Sequence, residues 1–200
     1  MAVILVLCKE ADALRQTSKI SDGRPELRFG KFLHHNRSTL NELMADITRK
    51  EVERLVKRRS PIKEENITAL NLDKFNFEGA IFTKCKFTGS TFNGSDFAFS
   101  HFEECLIDDC EMYGSHMQES SFIKCDLSKS DLRDCVMIEV NFRQSIMHSI
   151  DFSGSFIKDS VLLNVKGDLC DFSFTSLSAA NFSGAKMHVC DFSACRSVDL

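Results

Sequence analysis

The sequence predicts an all-β solenoid, and three observations lead to that fold class. Large apolar residues stand at every fifth position from Ile67 to Phe192, and Gly167 is the exception among these 26 positions. The position two residues earlier is small at 21 of 24 places from Ala80 to Cys195, mostly Ser and Cys. A period of five matches neither the 3.6 residues of a helical turn nor the two of a strand. The chain must therefore bend once per repeat, and stacked coils can pair their backbones.

This repeat explains an unbalanced composition of 18 Phe, nine Cys, two Pro and no Trp in 200 residues. Hydrophobic residues make up 43% and charged residues 27%, as in a folded domain. No apolar run approaches the roughly 20 residues that cross a bilayer. The first ten residues lack a basic segment, and Leu7 is too large for a leader cleavage site before Cys8. We expect no membrane partner and, from the odd cysteine count, a reducing compartment.

The charge divides the chain near residue 66. Residues 1–66 carry 14 basic and 10 acidic side chains, whereas residues 67–200 carry 11 basic and 19 acidic ones. We predict an amino-terminal helical cap or accessory region over residues 1–66 and a repeat domain over residues 67–200.

Individual repeats resemble those of a known family. The segments 125–129 (CDLSK), 130–134 (SDLRD), 180–184 (ANFSG) and 190–194 (CDFSA) are similar to the A(D/N)LXX unit of pentapeptide-repeat proteins. The resemblance covers about two thirds of the chain and implies a right-handed quadrilateral parallel β-helix with four pentapeptides per coil. Residues 67–195 would form about six and a half coils, roughly 30 Å long at the strand spacing.

Three residues depart from the repeat. Leu70 and Phe75 are bulky at the small position, which predicts an irregular opening coil. Gly167 stands at the large position, which predicts a bulge or a small loop.

An amphipathic helix is predicted before the repeats. Thr39 and Glu42 have the spacing of a capping box, apolar residues follow at helical spacing from Leu40 to Val56, and Pro61 ends the segment. One interpretation is that this helix, with residues 2–7, covers the first coil. The other is that its basic end binds anionic partners.

The repeat continues almost to Leu200, so the sequence itself offers no cap at the carboxyl end. An uncapped coil exposes apolar side chains and unpaired backbone. Related proteins dimerise through this end, which favours a homodimer, and the alternative is that the chain is a segment of something longer.

The residue pattern argues against catalysis. Cysteines 20 apart would point the same way about 4.8 Å apart, a poor geometry for disulfides. With no CxxC motif and no inward histidine, we interpret them as small core fillers and expect no metal and no cofactor. His148 and His188 share a column two rungs apart, too far to share a metal. No catalytic triad order or phosphate loop stands out, so we predict that the protein is not an enzyme.

Two outward features remain as candidate partner sites. The first is an acidic column with one residue per coil: Glu111, Asp131, Asp151, Asp171 and Asp191. Its members either hydrogen-bond local turns or recognise a partner.

The second feature is an apolar patch formed by Val136, Ile138 and Phe156. An acidic trio, Glu119, Glu139 and Asp159, stacks beside it. Like charges at rung spacing repel, and an exposed apolar patch with a polar rim often marks a contact site. The alternative is that the amino-terminal helix or a dimer partner covers the patch.

The family resemblance implies a non-catalytic protein-binding scaffold that uses its acidic surface. One alternative is a DNA-mimicking binder of DNA gyrase, as in quinolone resistance, and another is an adaptor of bacterial effectors in host cells. Direct nucleic-acid binding is not expected, because it would require the opposite charge. The corresponding locations are the bacterial cytoplasm or, for an effector, the host cytosol.

Overall fold

Coils of 20 residues stack in parallel in the computed structural model, which describes residues 47–196. A helix, α1 (Arg49–Lys57), precedes the coils. The strands in the described range are β1 (Ile62–Lys63), β2 (Ile81–Thr83), β3 (His101–Glu103), β4 (Ser121–Ile123), β5 (Val136–Ile138), β6 (Phe156–Lys158), β7 (Lys166–Asp168) and β8 (Lys186–His188). Strands β1 to β4 form one parallel sheet, and β5–β6 and β7–β8 form two more. The predicted parallel β-solenoid is confirmed, with about six turns.

Most of the backbone hydrogen bonds run between coils, whereas bonds such as that from the Ala80 N–H to the Phe77 carbonyl at 2.8 Å close turns within a coil. The Ile67 N–H donates to the Lys86 carbonyl at 2.7 Å, and the Lys86 N–H donates to the Glu65 carbonyl at 2.9 Å. The same alternation continues to the bond from the Arg196 N–H to the Thr175 carbonyl. Segments of three residues or single bridges thus satisfy the backbone without long strands.

The chain turns at every fifth residue from Glu64 to Ala194, and each of these residues has a positive φ. Most are not glycine, for example Phe99 at 58° and Lys129 at 62°. A residue in the left-handed conformation turns the chain from one short side of the coil to the next. A four-sided coil follows from four such corners.

The interior holds the large residues in stacked columns, as the periodicity predicts. From Ile67 to Phe172 the large apolar side chains at every fifth position are at most 1% exposed. Phe82 stacks on Phe102, and Phe102 on Phe122, each with ring centroids 4.8 Å apart. Offset stacking at this spacing stabilises aromatic pairs beyond their area burial.

The small inward position supplies a hydrogen-bond donor as well as a small volume. The Ser90 hydroxyl donates to the Ile67 carbonyl at 2.7 Å and accepts from the Leu70 N–H at 3.0 Å. The Cys110 thiol lies 3.1 Å from the Phe87 carbonyl, one coil further on, in the equivalent arrangement. Ser and Cys are therefore interchangeable here because both are small and both can donate to the preceding coil.

Helix α1 packs on the opening coil. The Thr48 hydroxyl caps it by accepting from the Glu51 N–H at 3.3 Å, while Val52 is fully buried in the core. Ile47, Leu55 and Val56 pack against the same core from partly exposed positions. The predicted capping box at Thr39 and Glu42 and the segment 2–7 lie outside the described residues, and the division at residue 66 stays a prediction.

The prediction of an irregular opening coil was wrong. β1 already pairs with β2 in the regular register, and Leu70 and Phe75 are 3% and 7% exposed. Arg49 donates to the Asn71 carbonyl at 2.6 Å, and its guanidinium lies over the Phe75 ring. The larger side chains fill the end of the core beside α1.

The prediction of a bulge at Gly167 was also wrong. Gly167 lies inside β7 and pairs in register with Met187 of β8. A Cβ atom on Gly167 would stand 2.9 Å from Cys170 Sγ and 3.0 Å from Met187 Sδ. The flexible Met187 and the Cys170 thiol take the space that a large residue would fill.

We expect Gly167→Leu to destabilise the protein by about 1–3 kcal/mol, although it completes the sequence pattern, because the added side chain overpacks a filled interior. The free energy of unfolding from urea denaturation tests this. Gly167→Leu combined with Met187→Ala should recover part of the loss relative to the two single variants. Equal or higher stability of Gly167→Leu would contradict this packing explanation.

Candidate functional site

The acidic column lies on one side of the solenoid, as the 20-residue coil requires. Bridges connect Glu111 to Asp131, Asp131 to Asp151, Asp151 to Asp171, and Asp171 to Asp191. Because side chains fill the interior, only the outer surface is open to contact with another molecule.

Four of the five members of the acidic column close their own turns. Oδ1 of Asp151 accepts from the Ser153 N–H at 2.9 Å, and Oδ1 of Asp171 accepts from the Ser173 N–H at 2.8 Å. Asp131 and Asp191 make the equivalent bond, whereas Glu111 accepts from the Asn93 side chain. On another side of the coil, Asn141 and Asn181 make the same turn with a neutral oxygen. The turn therefore explains the short polar side chain, but not its charge.

The charge of the acidic column is unevenly neutralised. Arg133 binds both carboxylate oxygens of Asp131, at 2.9 and 2.6 Å, and lies 3.7 Å from Asp151. Partial burial opposes ionisation of Asp131, but the hydrogen bonds from Arg133 outweigh it and lower the pKa of that carboxyl. The Ser193 N–H lowers the pKa of Asp191. In the described part of the chain, Asp171 and Asp191 form no ion pair, so their charges stay available.

We expect Asp171→Asn to leave the stability nearly unchanged, because an amide oxygen accepts the Ser173 N–H equally well. Asp171→Ala should lose about 1 kcal/mol, the net contribution of one such bond. Thermal unfolding of the three proteins measures the difference. An equal loss in both variants would show that the charge, and not the turn, stabilises this position.

The structure brings the three residues of the apolar patch together. Val136 lies directly next to Phe156 in the stack, and Ile138 lies next to Lys158. Phe156 is 58% exposed, while Val136 and Ile138 are half-buried. Helix α1 contacts the opening coil, so it does not cover the patch.

The acidic trio occupies the corner that follows the patch, and all three residues have a positive φ. Asp159 pairs with Lys158 at 3.7 Å, and Glu119 accepts from the Gln118 amide at 3.4 Å. Glu139 forms no ion pair with any described residue. The predicted repulsion within the trio is thus partly relieved at its two ends.

Sequence reasoning missed Phe174, which is 71% exposed. It lies at the corner that precedes the side of the coil that carries the apolar patch. It stands next to Gly154 in the stack and two residues before Ser176, the bridge partner of Phe156. The signal was available, since Phe174 is an aromatic residue at an outward position of the repeat. A second apolar corner, Leu169 and Val189, is 62% and 82% exposed.

Two histidines converge on one carboxylate. Nδ1 of His148 lies 3.1 Å from Oδ2 of Asp168, and Nδ1 of His188 lies 2.8 Å from Oδ1. The sequence analysis expected these histidines to lie too far apart to share a metal, and they meet through a carboxylate instead, because Asp168 occupies the rung between them. Within residues 47–196 no group of three potential ligands is arranged to hold a metal ion.

The repeat cysteines are free thiols. Burial raises the pKa of Cys110, Cys135 and Cys170 to about 12. Hydrogen bonding with Cys125 and burial raise the pKa of Cys105 to about 12 as well. These thiols are protonated at neutral pH and are therefore poor nucleophiles.

We expect iodoacetamide at about pH 8 to alkylate the partly exposed Cys190 and Cys195 well before the buried thiols. A pKa of about 12 leaves on the order of one thiolate in ten thousand at that pH. Mass spectrometry of tryptic peptides, in a Cys8→Ser background, gives the rate at each position. Full labelling in urea is the control, and fast labelling of folded Cys110 or Cys135 would show that the core opens.

A cavity of about 370 Å³ lies between α1 and the opening coil. Its lining is Arg49, Glu53, Val56, Lys57, Arg59, Lys74, Phe75, Asn76 and Glu78. Arg49 is held by backbone oxygens of the opening coil, and Lys57 pairs with Glu53 at 2.7 Å. The lining brings together no activated nucleophile, so this cavity offers no catalytic arrangement.

In the described range, no helix is long and apolar enough to cross a membrane.

The chain is similar to several solved structures at low identity. QnrB1, a plasmid-mediated fluoroquinolone resistance protein, is 14% identical with a TM-score of 0.39, covering 71% of this chain and 78% of its own. HetL from Nostoc sp. strain PCC 7120, involved in heterocyst differentiation regulation, is 12% identical with a TM-score of 0.27, covering 75% and 94%. Rfr23 from the cyanobacterium Cyanothece 51142 is 14% identical with a TM-score of 0.30, covering 71% and 98%.

No curated protein sequence matches the chain. Two family profiles, both described as pentapeptide repeats, match residues 72–116 with nine copies and residues 115–154 and 169–196 with eight copies. The matched segments cover more than half of the chain and follow the register of the stacked coils. The chain belongs to the pentapeptide-repeat family.

Proposed function

We propose that this protein is a non-catalytic protein-binding scaffold that recognises its partner through the acidic outer surface of the solenoid. The observation that carries the proposal is the filled interior. The large apolar residues at every fifth position from Ile67 to Phe172 are at most 1% exposed. The small inward residues form hydrogen bonds between coils. The outward side chains are therefore the ones that can distinguish this chain from other proteins with the same repeat.

The charge of that surface supports a protein partner. Residues 67–200 carry 19 acidic and 11 basic side chains, and the carboxylates that form no ion pair with a residue of the described range include Asp171 and Glu139. A surface of this sign attracts basic proteins and repels nucleic acid.

A photo-crosslinking scan tests the proposal. p-Benzoylphenylalanine replaces one outward residue on each of the four sides, at Ile81, Ser153, Phe156 or Lys166, and the tagged protein is mixed with bacterial or host lysate. We expect crosslinks that concentrate on one or two sides and that excess unlabelled protein competes away. Absent crosslinks, or equal crosslinks on all four sides without competition, would overturn the scaffold function.

The acidic column also favours a second candidate, DNA-mimicking binding and protection of DNA gyrase. The family resemblance implies loops in such proteins, whereas the register of the described coils is unbroken and Gly167 lies in a regular strand. Titration of this protein into a gyrase supercoiling assay, with and without a quinolone, decides the matter. Inhibition or protection at micromolar levels supports it, and the lack of both excludes it.

Self-association through the carboxyl end remains a proposal as well. Phe192 in the final described coil is 42% exposed, whereas Phe172, which stacks on it at 4.9 Å, is fully buried. Sedimentation velocity of the wild type and of Phe192→Ser tests whether this surface joins two copies. A monomer at all concentrations would exclude the dimer.

A further inference from the structure

Phe156 and Phe174 are exceptions to the packing of this solenoid. Most of the Phe residues between positions 47 and 196 point inward, yet these two are 58% and 71% exposed. They stand on neighbouring rungs, because Phe174 lies two residues before Ser176, the bridge partner of Phe156. Val136 extends the surface to the next rung. We call these three residues the aromatic ridge.

Carboxylates flank the aromatic ridge on both sides. The acidic column, with Asp151 and Asp171, lies on the side of the coil that precedes the ridge. The acidic trio lies at the corner that follows it, where Asp159 pairs with Lys158 and Glu139 forms no ion pair with a described residue. An apolar strip between two acidic borders presents a definite chemical pattern to a partner.

We propose that the aromatic ridge docks a basic amphipathic segment of the protein partner, with the segment's apolar residues on Phe156 and Phe174 and its Lys or Arg residues on the flanking carboxylates. This inference rests on the proposed scaffold function and names the chemistry of the partner.

Charge complementarity selects this occupant over two others. A nucleic acid would bring phosphates against Asp171 and Glu139, which form no ion pair with described residues. A second copy packed ridge to ridge would bring acidic borders together, and like charges across an interface oppose association. A basic segment satisfies both the apolar strip and its borders.

The probe is a fluorescent peptide of about 16 residues built from Leu-Lys-Lys-Leu repeats, which forms a basic amphipathic helix. A matched peptide with Glu in place of every Lys is its control. Fluorescence anisotropy measures binding to the full chain. We expect saturable binding of the basic peptide, which weakens as salt rises from about 0.1 to about 0.5 M, and no binding of the acidic peptide.

Three single variants separate the aromatic contribution from non-specific hydrophobic binding. Phe174→Ser should weaken binding by about tenfold or more, as expected for an aromatic anchor. Phe99→Ser is its control, because Phe99 is also exposed, at 54%, and has the same φ of 58°. Phe156→Ser should act like Phe174→Ser.

Charge variants test the borders. Asp171→Asn with Glu139→Gln should weaken binding and reduce its salt dependence, since the asparagine can still accept the Ser173 N–H. Glu78→Gln with Asp109→Asn removes the same charge from earlier coils and should have little effect. Circular dichroism shows whether each variant keeps the β-type spectrum.

Equal weakening by Phe99→Ser and Phe174→Ser, or binding insensitive to Phe156→Ser, would overturn the aromatic ridge as the docking site. Binding of the acidic peptide, or concentration-dependent self-association lost in Phe174→Ser, would overturn the basic occupant. In each case competed crosslinks on another side would leave the scaffold function standing, so the two failures are distinguishable.

Discussion

The constraint on which the structure depends is the 20-residue distance between hydrogen-bonded neighbours. Each coil obtains its backbone partners from the coils next to it, so every described coil from Glu65 to Arg196 must keep the same length. One inserted residue would move inward side chains to the surface for the rest of the chain. This requirement explains why the five-residue pattern continues without a slip, and why Gly167 is accommodated by its neighbours rather than by a bulge.

The interior could be predicted from the sequence because burial on a repeating backbone depends on position alone. The pattern identified Phe82 and Cys110 as inward residues without any knowledge of their neighbours. The errors and the missed contacts arose where a neighbour decides the outcome. Arg49 of α1 accommodates Phe75, and Asp168 joins two histidines that the sequence shows only as distant residues. The five-residue period specifies the coil and the side on which each residue lies. It does not specify which side chains fill a space in the core or form hydrogen bonds and ion pairs.

The candidate site was harder to predict for the same reason. Val136, Ile138 and Phe156 were identified because they break the polarity of one side, and the bridges place them together. Phe174 lies at a corner, where the five-residue pattern does not specify the residue type. Only the stacking of the coils shows that Phe174 lies close to Phe156. The acidic column is conspicuous in the sequence because it is regular. That regularity is not by itself evidence of a binding site, because most of its members close their own turns.

The corners have a consequence for engineering. Most of them hold residues with a side chain in the left-handed region, a conformation that disfavours such residues by about 1 kcal/mol each. Asn tolerates this region better than Leu or Val, so Leu169 and Val189 are positions where substitution can raise the melting temperature. Their side chains lie outside the core, and the bond from the Leu169 N–H to the His188 carbonyl uses a backbone group that substitution keeps. The solenoid therefore allows its heat resistance and its recognition surface to be redesigned separately.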